Sequence, residues 1–189
     1  MALLEWVAVA LGLANITLLV RRSIWNFPVG IAMVSLYFVI FWQQRLYSDA
    51  LLQIFFAGVQ LVGWLSWARS GGLSGAITVL RLPTAERWLW PLGVAVATGF
   101  WGWAMAELTN AAAPWWDAAV AMGSVAAQLL LVGRRIENWL MWIAVDVLAI
   151  GLYWSRGLEL TAGLYVAFLI MCIIGWFEWR RAERAAVAT

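Results

Sequence analysis

The sequence predicts an all-α integral membrane protein of seven transmembrane helices, built as two parallel copies of a three-helix bundle joined by one linker helix (a 3+1+3 repeat). Three observations predict it. Of 189 residues, 65% are hydrophobic and only 12% are charged, against about a quarter charged in soluble domains. The apolar residues fall in windows long enough to cross hydrocarbon, separated by short polar breaks. The chain also matches itself without gaps when shifted by 112 residues. A soluble domain of this size could not cover so much apolar surface, so lipid is the simplest solvent for it.

A spanning helix needs about 20 predominantly apolar residues. The windows that qualify are 3–20, 24–42, 50–67, 88–107, 115–132, 139–154 and 158–177. The first is no cleaved signal: it lacks a basic leader and ends in Arg21-Arg22 instead of a small-residue cleavage site. The second and third are separated by the polar stretch 43–49. Residues 68–87 form the one long break; with Ser70-Gly71-Gly72, Pro83 and three arginines they read as a connector, with room for a short surface helix. The fourth window is the linker, and the fifth to seventh complete the second bundle. Sixteen Trp suit the two membrane interfaces, where an apolar ring and a polar N–H are both accommodated.

All twelve basic residues are Arg. Alternating the loops puts Arg21, Arg22, Arg69, Arg81, Arg87, Arg134, Arg135, Arg180, Arg181 and Arg184 on one side and only Arg45 and Arg156 on the other, ten against two. Positive residues stay inside, so the N-terminus is expected outside and the C-terminus in the cytoplasm. An odd number of spans follows.

The 112-residue shift places Arg22 on Arg134, Asn26 on Asn138, Trp42 on Trp154, Phe56 on Phe168, Gly63-Trp64 on Gly175-Trp176 and Trp67 on Trp179. Between Asn26 and Trp67, 12 of 42 positions are identical. Hydrophobic helices resemble one another by Leu-on-Leu matches, but aligned Asn, Gly-Trp and Trp need a duplication. Three helices and one linker precede the copy, so both copies share one orientation. Such repeats are used by transporters, which bind substrate near the midplane at the repeat interface.

Several function classes are disfavoured. A net charge of +2 without a basic stripe gives nothing to hold nucleic acid. No His and one Cys, Cys172, argue against haem or zinc, and no cofactor or metal is expected; Cys172 reads as an inert packing residue. No phosphate-binding glycine loop appears. No nucleophile–base pair is visible, so an enzyme is not expected.

Asp146 carries the most weight. It lies midway along the sixth span, where a carboxylate costs about 2.5–3.5 kcal/mol on insertion scales, and such residues are functional candidates by default. An interhelical hydrogen bond is the other use of such a residue. Its repeat counterpart is Val34. Helical spacing puts Asn138, Trp142, Asp146 and Tyr153 near one face, with Trp139 at its edge. A carboxylate among indoles suits a cation, above all a delocalised quaternary ring; for Trp139 the interfacial belt is an equal alternative. Gln53 and Gln60 share a face with Phe56 and Trp64, and Gln128 lies on the fifth span; amides can bind hydroxyls or a carboxamide, or hold helices together. Tyr165 adds a hydroxyl and a ring. Ala119, Gly123 and Ala127 form a packing stripe. Trp64, Trp67, Trp176 and Trp179 read mostly as belt anchors beside Arg.

The run Arg135-Ile136-Glu137-Asn138-Trp139-Leu140-Met141-Trp142-Ile143-Ala144-Val145-Asp146, with Tyr153, resembles the nicotinamide riboside transporters of the PnuC type. Pro114-Trp115-Trp116-Asp117-Ala118, Ala127-Gln128-Leu129-Leu130, Tyr47-Ser48-Asp49-Ala50 and Gly63-Trp64-Leu65-Ser66-Trp67 support the resemblance, which covers nearly the whole chain. It implies a SWEET-like arrangement of seven helices in a bacterial inner membrane. It also implies facilitated uptake of a vitamin trapped by phosphorylation inside the cell. Trp139, Trp142 and Asn138 carry over as members of the tryptophan motif, and Gln53, Gln60 and Gln128 less directly. Nicotinamide riboside is the expected ligand, with thiamine or another vitamin of the same superfamily as the alternative. Oligomeric state is not set, and a homo-oligomer is compatible with the sequence. The alternative from another class is a non-transporting membrane bundle or assembly subunit, which would tolerate loss of Asp146.

Overall fold

The computed structural model describes residues 2–43, 47–69, 78–108, 113–155 and 159–187. Seven helices occupy them: α1 (Ala2–Val20), α2 (Asn26–Gln43), α3 (Tyr47–Trp67), α4 (Glu86–Leu108), α5 (Pro114–Val132), α6 (Asn138–Ser155) and α7 (Glu159–Val187). Every expected span contains one. The main departure is α7, whose 29 residues outrun the apolar window by ten, ending at Val187. Residues 178–187 are charged and Ala-rich; they leave the hydropathy window but keep high helix propensity. By length and composition α4 and α5 could each cross a membrane unaided, and Trp6–Val20, Asn26–Val39 and Asn138–Leu152 are shorter apolar stretches.

The chain divides into two compact units, one of residues 1–78 with 181–189 and one of 79–180. In the first, α2 packs against both α1 and α3; in the second, α5 packs against both α4 and α6. α4 uses little of its surface for this. Trp88, Leu92, Val96, Phe100 and Trp103 are all more than half exposed, and they recur at helical spacing. A row of bare aromatic and aliphatic side chains is stable against acyl chains, not against water.

Both units contain the same corner. α1 ends with Arg22 in the left-handed conformation, φ 56°. The Arg22 N–H donates to the Leu19 carbonyl (2.9 Å) and the Ser23 N–H to that of Leu18 (2.9 Å). At the end of α5, Arg134 has φ 57°; its N–H donates to Leu131 (2.8 Å) and that of Arg135 to Leu130 (2.9 Å). Each is a Schellman cap, which satisfies carbonyls that the helix end leaves orphaned. The left-handed position normally goes to Gly, because a side chain there costs about 1–2 kcal/mol. Asn26 and Asn138 then open the next helix, each donating from Nδ2 to the carbonyl three residues back, Ser23 and Arg135, at 2.7 Å. Beyond each Asn an aromatic ring is fully buried edge-on against a Trp. Phe27 meets Trp67 at 4.9 Å, and Trp139 meets Trp179 at 5.6 Å. Every residue in one set lies 112 positions from its partner in the other.

The two corners differ in what lies over them. Residues 78–82 contain no helix; they run extended over the α5–α6 corner, while 70–77 fall outside the described residues. Leu80 N–H donates to the Arg134 carbonyl (3.0 Å) and Ile136 N–H to the Leu80 carbonyl (2.9 Å). Glu137 Oε2 accepts from the Leu82 N–H (3.1 Å), and Oε1 lies 3.6 Å from Arg87 Nε. Arg135 donates to the Arg81 carbonyl. At the α1–α2 corner the residue in register with Glu137 is Trp25, 65% exposed.

Candidate functional site

Asp146 sits eight residues into α6 from Asn138, about 12 Å along the helix axis. It is 3% exposed. The Cys172 side chain of α7 lies against its carboxylate, and Oδ2 is buried without a hydrogen-bond partner. A buried carboxylate oxygen with no donor is a costly arrangement unless a ligand supplies the missing contact. Cys172 is thus a buried packing residue that also borders the carboxylate. The two residues are 26 apart on different helices, and no pattern within one helix could pair them.

Trp142, one turn before Asp146, is half-buried on α6. Gln128 is buried on α5. Tyr165 on α7 is half-buried, its ring 5.7 Å from that of Phe168. Side-chain surroundings of Tyr153 lie outside the described residues.

The other two α6 residues have structural partners. Trp139 is fully buried, which excludes it from an interfacial belt. Its indole lies over Gly175, where an added methyl would come within 2.5 Å of the ring. Trp67 and Trp179 are likewise fully buried and not belt anchors; Trp176 keeps the expected place beside Arg, with the Arg180 guanidinium 5.5 Å from its ring. Asn138 closes the corner through Nδ2, yet its Oδ1 is buried without a partner, as is Trp139 Nε1. So Glu137 ties down the extended strap, Asn138 the corner and Trp139 the α7 backbone. The packing stripe is also in place, since a methyl on Gly123 would meet Val145 at 2.8 Å.

In the first unit Gln60 is buried, and its Oε1 fills the notch left by the missing side chain of Gly30. Asn15 Nδ2 borders the same notch and donates to the Asn26 carbonyl. Asn15 went unnoticed in the sequence because an amide in a first span looks like any other polar interruption. Gln53 and Phe56 are half-buried on α3, the Phe56 ring 5.8 Å from that of Phe55. A separate groove of about 260 Å³ lies between α4 and α5. Its walls, including Leu89, Trp90, Val94, Met122 and Leu129, are apolar and include none of the predicted site residues. No group of side chains suited to a metal occurs among the described residues.

The model of the family described as nicotinamide mononucleotide transporter matches residues 2–181. The nicotinamide riboside transporter PnuC of Escherichia coli is 27% identical over 96% of this chain and 86% of its own. The riboflavin/roseoflavin transporter RibM of Streptomyces davaonensis is 28% identical, covering 89% and 80%. The fold is that of a crystal structure of the vitamin B3 transporter PnuC, with a TM-score of 0.79 over 97% of this chain and 83% of that one, at 24% identity.

Proposed function

The chain belongs to the nicotinamide mononucleotide transporter family, and from that premise we propose that it carries nicotinamide riboside across a bacterial inner membrane by facilitated diffusion. Seven spans form a 3+1+3 repeat, with the N-terminus outside and the C-terminus in the cytoplasm. The matched corners support the duplication, and the ten-to-two arginine distribution supports the orientation. Phosphorylation inside the cell then keeps the vitamin there.

The observation that carries the substrate is the buried Asp146 with its unpartnered Oδ2. Nicotinamide riboside is a quaternary pyridinium. A carboxylate beside an indole, Trp142, gives such a ring both a counter-charge and a π face. The phosphorylated nucleotide fits less well. Its phosphate needs Arg or Lys, and every Arg of the sequence falls outside the seven apolar windows. Amides such as Gln128 are suited to ribose hydroxyls or the carboxamide. Thiamine, also a quaternary cation, satisfies Asp146 equally, whereas neutral riboflavin leaves it without a counter-charge.

Purified protein in liposomes tests this. Labelled nicotinamide riboside should enter without an ion gradient and stop at equal concentrations on both sides. Uptake that needs an imposed gradient, or none of the riboside with saturable uptake of another vitamin, overturns the reading.

A further inference from the structure

Asp146 has a thiol beside its carboxylate and one oxygen that is buried without a partner. The thiol is that of Cys172, the chain's single cysteine, 3% exposed on α7; the unpartnered oxygen is Oδ2. A thiol is a weak donor. It can bias the carboxylate's rotamer while taking up little of its acceptor capacity, leaving most of that charge for a ligand. The register between the two units gives position 172 a second constraint. Its counterpart is Gln60, whose amide fills the notch at Gly30. The counterpart of Gly30 is Trp142. Where the first unit sets a large polar side chain against a glycine, the second has a small polar side chain in register with an indole. Cys is among the few residues both short enough to leave room for a ring and polar enough to hold a carboxylate.

We propose that Cys172 is a positioning residue for transport, orienting Asp146 so that Oδ2 meets the cationic ring of the substrate. The inference rests on the assignment of Asp146 to the substrate. Cys172 then acts on affinity for the cation and not on the rate of movement, and it acts only while Asp146 is present.

The test is uptake in liposomes by Cys172→Ala, Cys172→Ser, Asp146→Asn and Asp146→Asn/Cys172→Ala, using nicotinamide riboside and its neutral, reduced dihydro form. Loss of one weak donor beside the carboxylate predicts that Cys172→Ala raises KM for the cation about 5–10-fold with Vmax within about twofold. The serine hydroxyl should restore KM to within about twofold of the parent. The neutral form should be transported alike by both. In the Asp146→Asn background, Cys172→Ala should add nothing, because the group it orients is gone. Unchanged KM in Cys172→Ala overturns the proposal. So does serine as poor as alanine, which would mean packing, or an undiminished alanine effect without Asp146. Asp146→Asn separates the two levels. If it transports the cation at parental KM, the assignment of Asp146 itself fails; if it is impaired and Cys172→Ala is not, only the role of Cys172 falls.

Discussion

The α1–α2 and α5–α6 corners share backbone hydrogen bonds, a left-handed arginine, an asparagine tether and an edge-on aromatic pair, yet only the second carries ionisable chemistry beyond the turn. Positions 34, 30 and 60 are Val, Gly and Gln; their counterparts 146, 142 and 172 are Asp, Trp and Cys. Over the turn, Trp25 is exposed where Glu137 gathers Leu82 and Arg87. The scaffold is common and the chemistry is not. Residues that recur in both corners are therefore read first as scaffold, and residues peculiar to one as candidates for function.

Substitutions can break or sharpen this contrast. The largest effect is expected from Trp139→Ala, which empties a fully buried site and should cost about 3–5 kcal/mol, read as a fall in melting temperature in detergent; Phe27→Ala should cost a similar amount in the other corner. Gly175→Ala drives a methyl into that same indole and should cost about 1–3 kcal/mol, while Gly163→Ala, with open space around it, should be silent in the same assay. Next comes Asp146→Asn, expected to weaken riboside binding about tenfold or more with little change in melting temperature, measured by quenching of tryptophan fluorescence. Equal binding by the two proteins would return Asp146 to the scaffold. Asn26→Ala and Asn138→Ala should each lose about 1 kcal/mol of stability. A loss of riboside affinity in Asn138→Ala alone would show that the free Oδ1 meets the ligand. Smallest is Glu137→Gln: its pair with the 41% exposed Arg87 contributes under about 1 kcal/mol, and the amide oxygen can still accept from Leu82.

Seven helices were legible because each is an apolar run between polar breaks, and a continuous run of that length satisfies its backbone in lipid only as a helix. The end of α7 was not, since Glu178, Arg180, Arg181 and Glu183 stop a hydropathy window without stopping a helix. Asp146 stood out because a carboxylate inside an apolar span is costly enough to need a reason, a ligand or an interhelical hydrogen bond. Its partner did not, because Cys172 is apolar enough to pass as filler. Trp67 and Trp179 were misread as interfacial for a related reason: a Trp near a span end fits the belt, and only the facing Phe27 and Trp139 reveal its burial. The left-handed arginines ran against the preference for glycine and carried no local signal. The 112-residue register held the missing information, since it aligns both cap residues and both members of each ring pair.

One consequence concerns α4. Its 23 residues span about 34 Å, slightly more than a typical hydrocarbon core, and most of its surface is exposed. Little but α5 sets its angle, so the thickness of the surrounding bilayer helps decide how far it leans. Arg87, at its first turn, is linked through Leu82 and Glu137 to the start of α6. Lipids with longer or shorter tails thus press on a largely uncovered helix, and the strain reaches the helix bearing Asp146 by two routes, the packing of α5 between α4 and α6 and the Glu137 carboxylate.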